Sequence, residues 1–346
     1  MQRKPLRVGV MGTGWVARMR HIPTYQKRKD VVLVALYNPS DELAQKAQQE
    51  FGVSSYIKKE EFFAQKLDMV SVCAPPQEHF QLIKSVLEKG IHVLTEKPFT
   101  MTTEEGKELE RIAKEKNLIL YPSHNFLFAR AVKEADALIA EEEYGKVMGA
   151  TALQWSSWKR SLPSWFGQLP GGLFFDEAPH LVYLLDHFLG NISVEDAWQG
   201  IQQKEDEKPL QRITARVKGV KGWGDLNMWF GAPLSEWFIV VMCQKGVIII
   251  DIFRDMIIHF PAEGVRSASY LITSLLKGDA QVWKQMGKWI MRRIAGKKNF
   301  FGIDGAVDDF IGAVSNAHAP RLVAKDGYNI VGLLHTILNM AEERND

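Results

Sequence analysis

A chain of 346 residues is roughly two average domains long, because a single core usually stops growing near ~250–300 residues. Its 46% hydrophobic and 24% charged content suits a globular protein, and 43 basic against 41 acidic residues leave a net charge of +2. That balance excludes a chain-wide attraction to nucleic acid, and the two isolated cysteines, Cys73 and Cys243, exclude a disulfide framework or a zinc module.

No run approaches the ~18 apolar residues of a membrane span, and Met1 to Val8 passes straight into an apolar run with no cleavage pattern. The expectation is a cytoplasmic protein without a metal site. In chain order, Leu6–Met11 is a short apolar run that ends at a glycine, with a helix expected over Arg18–Lys29. Val31–Tyr37 is a second, near-continuous apolar run, and such runs suit parallel strands buried on both faces. Asp41–Phe51 predicts a helix capped by Ser40 and closed by Gly52. Met69–Ala74 predicts a strand, His79–Glu88 a helix, His92–Thr95 a strand, Thr102–Asn117 an amphipathic helix with a threonine cap, and Leu118–Tyr121 a strand. This alternation implies a doubly wound parallel sheet with right-handed crossovers.

The pattern changes after Asn125. A helix is expected over Ala129–Glu143, and then come closely spaced strands: Arg212–Lys218, Trp223–Phe230, Glu236–Gln244, Val247–Phe253 and Met256–Phe260. Their spacing predicts a largely antiparallel, open sheet with one face covered by helices, and from Ala268 onward the chain is mostly helical. The expected fold class is α/β, with one domain over 1–125 and a second over 126–346.

Gly12-Thr13-Gly14-Trp15-Val16-Ala17 is a G-x-G-x-x-A fingerprint directly after the first strand and at the start of the first helix. The first glycine permits a tight turn, the second lets backbone approach a pyrophosphate, and Ala17 lets helix and strand pack closely. The helix start supplies free N–H groups and a positive dipole for phosphates. These features point to a Rossmann domain that binds NAD or NADP. The residue expected to hold the ribose, at the end of the second strand, is Asn38, followed by Pro39 and Ser40. Asparagine hydrogen-bonds a ribose and does not repel a 2′-phosphate, but no arginine or lysine follows to hold that phosphate, so the choice between NAD and NADP stays open.

With the fingerprint, the Ala74-Pro75-Pro76 turn with His79, the Glu96-Lys97-Pro98 turn, and Gly171-Gly172 leading to Asp176 and His180, the chain resembles the Gfo/Idh/MocA oxidoreductase family. That family covers glucose–fructose oxidoreductase, inositol 2-dehydrogenase and many sugar dehydrogenases. The resemblance implies hydride transfer at a carbon of a sugar, sugar derivative or cyclitol, and a homo-oligomer, dimer or tetramer, joined through the open sheet. It implies that Gly12, Thr13, Gly14, Trp15, Val16, Asn38, Ser40, Ala74, Pro75, His79, Glu96 and Lys97 bind the cofactor. Three departures stand out. Ala178, next to Pro179, replaces a glycine, Tyr183 replaces an aspartate, and Asn125-Phe126-Leu127-Phe128 lacks an arginine.

Lys97 lies just past a strand's carboxyl end, where open α/β sheets bind ligands, and can donate to a reacting oxygen. The plainer alternative is a surface lysine before a turn-forming proline. Asp176 and His180 are four residues apart, which puts both on one face of a helix, and a helix starting at Asp176 places Pro179 in its first turn. Histidine, with an ordinary pKa near ~6.5, takes a hydroxyl proton at neutral pH. Asp176 holds Lys97 or orients substrate in this reading, while a helix-capping aspartate and a core histidine are the alternatives. Trp158 and Trp165, with Trp155 nearby, flank Lys159 and Arg160. Indole faces stack on sugar rings, and the basic pair suits a phosphate or carboxylate, but the tryptophans equally suit an interface. Asn125 joins these as an expected substrate contact.

Two further functions compete with a dehydrogenase: a protein that keeps the cofactor pocket only to sense ligand, and an NAD-assisted glycoside hydrolase. A sensor has no need of Lys97, Asp176 and His180. Finally, Lys277–Lys298 holds seven basic residues against one acid, Asp279. Val282, Met286, Trp289 and Ile290 follow helical spacing there, with Lys284, Lys288 and Arg292 as a separate basic stripe. That pattern fits an interfacial helix or a cover over the site. The plainer expectation buries the apolar stripe, leaves the lysines in water and predicts no salt-sensitive binding to anionic vesicles.

Overall fold

The structure, a computed structural model, describes residues 4–141, 143–159, 162, 164–204, 207–262, 268–294 and 301–344. The chain divides into two units, one of residues 1–125 with 303–332 and the other of 126–302 with 333–346.

In the first unit, β1 (Leu6–Met11), β2 (Val31–Tyr37), β3 (Ser55–Tyr56), β4 (Met69–Val72), β5 (His92–Thr95) and β6 (Leu120–Pro122) form one sheet. Every pairing is parallel, in the order β3-β2-β1-β4-β5-β6. This is the order in which two mononucleotide-binding halves meet between β1 and β4. Val8, Val10, Met69, Val70, Val93 and Leu94 are fully buried, as apolar runs in a doubly covered sheet require. After β1 the chain makes a π-helical turn at Ala17–His21 and continues as α1 (Ile22–Gln26), which ends sooner than the sequence suggests. The other helices are α2 (Asp41–Phe51), α3 (Lys59–Phe63), α4 (Pro76–Glu88) and α5 (Thr103–Glu115). Ser40 caps α2 by accepting the Leu43 N–H, and Gly52 closes it at φ +66°. Thr102 and Glu105 form a reciprocal capping box on α5.

In the second unit, α6 (Arg130–Ala140) precedes β7 (Val147–Ser157), and α7 (Leu173–Leu189) precedes β8 (Ser193–Lys204) and β9 (Glu207–Gly219). Next come β10 (Gly222–Ala232), β11 (Glu236–Cys243), β12 (Gly246–Asp251), β13 (Met256–Pro261) and α8 (Ala268–Ile294). The sheet runs β13-β12-β11-β7-β10-β9-β8, with β7 and β10 parallel and the other neighbours antiparallel. The sequence pattern conceals β7 and β8, because Gln154, Ser156 and Ser157 weaken the apolar signal of the first and Glu195, Asp196 and Gln199 that of the second. One face is buried through Ala150, Ala152, Ile213, Ala215, Leu226, Met228, Ile239 and Val241. On the other face Arg212 stacks between Trp198 and Trp229, at 4.5 and 4.6 Å from the ring centroids.

The expected boundary placed everything after residue 126 in one domain, and the structure differs. α9 (Ile303–Val314) belongs to the first unit, and α10 (Ala324–Glu343) begins there. The cause is packing at long sequence separation. Ile303, Ala306, Val307, Phe310 and Ile311 make a buried helical stripe, Phe310 lies 5.8 Å from the Tyr121 ring, and the Tyr121 hydroxyl donates to Asp309 at 2.8 Å. Arg28 pairs with Asp308. A Cβ on Gly106 of α5 would sit 2.4 Å from Tyr328, so only glycine admits the tail at this distance.

Candidate functional site

At the end of β1 the chain turns at Gly12 with φ +88°, and a Cβ there would stand 2.7 Å from the backbone of Cys73 and Ala74, just past β4. This is the crevice where strand order reverses and ligands bind in open α/β sheets. A Cβ on Gly14 would meet nothing within 4 Å, so its backbone faces open space. Thr13, between them, is buried, and its hydroxyl oxygen accepts the Asn38 amide N–H at 2.8 Å. Asn38 Oδ1 accepts the Ser40 N–H at 3.0 Å. Asn38 thus ties the end of β2 to the glycine turn while one amide hydrogen and one lone pair remain for a ribose hydroxyl. Trp15 opens the helix at 63% exposure, with the Arg20 guanidinium 5.2 Å from its ring centroid. Open backbone beside a helix start, whose first N–H groups lack helical partners, fits a pyrophosphate.

Glu96 and Lys97 come directly after β5, at the same carboxyl edge of the sheet. Glu96 is buried, and its Oε1 lies 2.7 Å from Nε2 of the fully buried His21, in the π-helical turn. Burial raises the Glu96 pKa, but the His21 hydrogen bond and charge, with Lys97 and Arg20, outweigh it and bring it to about 2. Glu96 is therefore a carboxylate, and it accepts the Lys97 N–H at 3.4 Å. The Lys97–Pro98 peptide is cis. His79, expected against the cofactor, is instead fully buried, with Nδ1 2.7 Å from the Pro98 carbonyl and Nε2 2.9 Å from the Ala74 carbonyl. Burial lowers its pKa against the opposing pull of the two carbonyls, and the ring joins the two turns rather than reaching a ligand. Asn125 is buried at the head of a 3₁₀ turn, Asn125–Phe128.

The second unit holds the other candidates. Gly171 and Gly172, at φ +61° and +59°, start α7 at Leu173 rather than Asp176, so Pro179 lies inside the helix and not in its first turn. Asp176 and the buried His180 remain one helical turn apart on one face. His180 Nδ1 lies 2.9 Å from the Tyr183 hydroxyl oxygen, which accepts the Phe126 N–H at 3.1 Å. The imidazole is packed by Phe126 and Trp237, at 4.6 and 5.7 Å between ring centroids. Glu177, next to Asp176, is buried on β7, accepting from Ser156 Oγ at 2.6 Å and from the Gln154 amide. Sequence reasoning missed Glu177 and Trp237, and it read Tyr183 only as a departure. An i, i+3 aromatic hydroxyl beside a histidine was the available signal for Tyr183. Trp158 is 47% exposed, with the Lys159 ammonium 5.2 Å from its ring centroid. Trp165 sits in a 3₁₀ turn, Ser164–Gln168, and Arg160 lies outside the described residues. Among the described residues no helix is long and apolar enough to cross a membrane.

Strand order, glycine turn and open backbone define the first unit as a dinucleotide-binding Rossmann domain. Residues 6–124 match the family described as "Oxidoreductase family, NAD-binding Rossmann fold", the Gfo/Idh/MocA model, so this domain is of that kind and its cofactor is a nicotinamide dinucleotide. The chain is similar to a D-glucoside 3-dehydrogenase of Escherichia coli (strain K12), 31% identical over 154 residues, 44% of each chain. An uncharacterized oxidoreductase of the same organism is 32% identical over 183 residues, 51% of each chain. The chain thus spans about half the length of these curated relatives. The WlbA dehydrogenase from Bordetella pertussis, solved with NADH and UDP-GlcNAcA, shares the fold over 99% of this chain and 97% of its own, with TM-score 0.77 and 19% identity. GenD2 from gentamicin A biosynthesis, solved with NAD, does so over 99% and 96%, with TM-score 0.77 and 17% identity.

Proposed function

We propose that the protein is a dehydrogenase that oxidises a secondary hydroxyl of a sugar or sugar derivative, with nicotinamide as the hydride acceptor. The observation that carries this reading is the His180 ring, held at Nδ1 by Tyr183 and packed against Phe126 and Trp237. A ring fixed in this way presents Nε2 in one direction, as a proton acceptor requires and a ligand sensor does not. His180 takes the hydroxyl proton, Lys97 stabilises the developing alkoxide, and Asp176 orients the substrate. Glu96, held ionised against His21, positions the Lys97 turn. Gly12, Thr13, Gly14, Val16, Asn38 and Ser40 hold the dinucleotide, whose chemistry is to accept the hydride as the carbon becomes a carbonyl. Asp41 and Glu42, in the first turn of α2, supply negative charge just after Ser40 and favour NAD over NADP.

The exposed Trp158 face with Lys159 suits a sugar ring carrying an anionic group. The D-glucoside 3-dehydrogenase relative supports a glycoside or related sugar as the substrate class. The outer face of the second sheet, with Trp198, Arg212 and Trp229, is the proposed contact between copies of the chain. The test is reduction of NAD and NADP, followed by nicotinamide absorbance, across free sugars, glycosides, nucleotide sugars and inositols. Net NADH formation with one of these classes is expected. Dinucleotide binding without turnover of any class overturns the catalytic reading.

A further inference from the structure

Two places in the second unit turn polar side chains inward. One is α8, where the apolar stripe expected to face inward does not do so. Val282 and Met286 are half-buried, but Trp289, Ile272, Ile290 and Ile294 are exposed. The side chains of Lys277, Arg292 and Arg293, and residues 295–300, lie outside the described residues. Glutamines face the protein instead. Gln281 donates to the His259 carbonyl and accepts the His259 N–H, both at 2.9 Å. Gln285, buried, accepts from Arg130 at 2.7 Å and donates to Glu134 at 3.0 Å. Each of these amides uses both its nitrogen and its oxygen, as burial of an amide requires.

The other place is the inner face of β7, and there the pairing is incomplete. Its inward positions run Ala150, Ala152, Gln154 and Ser156, so the face turns polar towards the strand's end. Glu177 of α7 accepts from Ser156 Oγ and from the Gln154 amide, whose Nε2 also lies 2.7 Å from Ser156 Oγ. Both contacts use the amide nitrogen, which fixes which way the amide points. Gln154 Oε1 is left buried with no hydrogen-bond partner among the described residues. Directly opposite Gln154, on β11, stands Trp237. Its indole Nε1 is also buried with no partner among the described residues. Gln154 is fully buried and Trp237 is 5% exposed. Opposed residues of an antiparallel pair hold their Cβ atoms ~4.5–5.5 Å apart on one face, so an unpaired acceptor and an unpaired donor are neighbours.

The two atoms together select the chemistry that completes them. An indole N–H only donates and an amide oxygen only accepts. A hydroxyl serves both at once, whereas a ketone or carboxylate cannot donate and an ammonium cannot accept. The neighbours select the place. The Trp237 ring lies 5.7 Å from the His180 ring and 6.1 Å from that of Phe126, between centroids. Glu177, which holds the Gln154 amide, precedes His180 by three residues on α7, so the two share a helix side. A sugar or cyclitol ring carries several hydroxyls, so one given to His180 leaves others for its surroundings. We propose that Trp237 Nε1 and Gln154 Oε1 form a slot for a second, unreacting hydroxyl on the ring that is oxidised. The slot rests on the dehydrogenase reading of His180 and narrows its substrates to polyols.

The test uses NAD reduction. Every sugar that the wild type oxidises, beginning with methyl D-glucoside and myo-inositol, is set against those of its monodeoxy analogues that retain the oxidised hydroxyl. One analogue should lose at least about thirtyfold in kcat/KM, because a site built to bond a hydroxyl rejects the molecule lacking it. Trp237→Phe keeps an aromatic ring and removes the N–H, so the same penalty should shrink to about threefold or less. Gln154→Met keeps the length and removes the acceptor, and it should shrink the penalty for that same analogue should Trp237→Phe fail to fold. Each variant is read as a ratio of two substrates on one enzyme, which a general loss of stability or turnover does not move. Dinucleotide affinity, measured by calorimetry, should match wild type in both. No penalty in wild type, or the full penalty in both variants, overturns the slot, whose atoms then hold a buried water only. Oxidation of no sugar at all is a different failure: it strikes the dehydrogenase reading itself, and the slot with it.

Discussion

Two helix starts in this molecule are built on glycine pairs, and they carry different side chains. In the first unit Gly12 is walled in by the backbone beyond β4 and Gly14 faces open space. In the second, Gly171 is walled in by Leu338, whose Cδ2 would lie 2.6 Å from an added Cβ, and Gly172 faces open space at φ +59°. The side chains just beyond each pair separate them. The first start presents backbone N–H groups and an exposed Trp15, with its nearby polar residues tied to one another. The second presents Asp176, Glu177 and His180 within its first two turns. Backbone donors grip an anion whatever its side chemistry, whereas moving a proton needs titratable side chains held in one orientation. The proposed function thus assigns holding to the first unit and proton transfer to the second, with Lys97 the exception on the holding side.

The strongest way to break this division is to remove the chemistry and look for lost binding. His180→Ala and Lys97→Ala should each lower kcat by about 10²–10⁴-fold while dinucleotide affinity, measured by calorimetry, stays nearly unchanged. Wild-type turnover in both variants would refute these roles. The glycine pairs can be set against each other next. Gly14→Val fills the open space at the cradle and should cost at least about a hundredfold in dinucleotide affinity with little change in Tm. Gly172→Val puts a branched side chain at positive φ, so it should lower stability by about 1–2 kcal/mol and leave that affinity intact. Matching effects from the two would erase the distinction.

A smaller effect is expected from Tyr183→Phe. It removes the hydroxyl at His180 Nδ1 and leaves the Phe126 N–H unpaired, so kcat should fall about tenfold, with a displaced pH–rate profile and KM nearly constant. A fall in Tm with an unchanged pH profile would show a purely structural tyrosine. A last effect, outside the site, is on acid stability. Burial holds His124 down to about 3, so between that value and the ordinary ~6.5 the unfolded chain binds a proton that the folded chain does not. Stability is therefore full above pH ~6.5 and falls by up to about 1.4 kcal/mol per pH unit below it. Glu96, depressed to about 2, adds a loss of the same sign below its ordinary value. Thermal melts across this range should show a flatter decline in His124→Gln.

Local chemistry alone determined much of this protein. The alternation of apolar runs and capped helices predicts the parallel sheet, and α2 spans Asp41–Phe51 between Ser40 and Gly52 as the residues indicate. The glycine fingerprint was equally legible, because a tight turn and a close backbone approach are demands that a short stretch of chain states by itself. Tertiary structure alone decided four other features. It carried α9 back onto the first unit through Phe310 and Tyr121, and it buried His79 between the Ala74 and Pro98 carbonyls. It set the Phe126 N–H on the hydroxyl that holds His180, and it turned the glutamines of α8 inward and its isoleucines outward. Each of these joins residues far apart in the chain. Periodicity tells which residues share a helix or strand face, but the partner that face meets is chosen by packing across the whole fold.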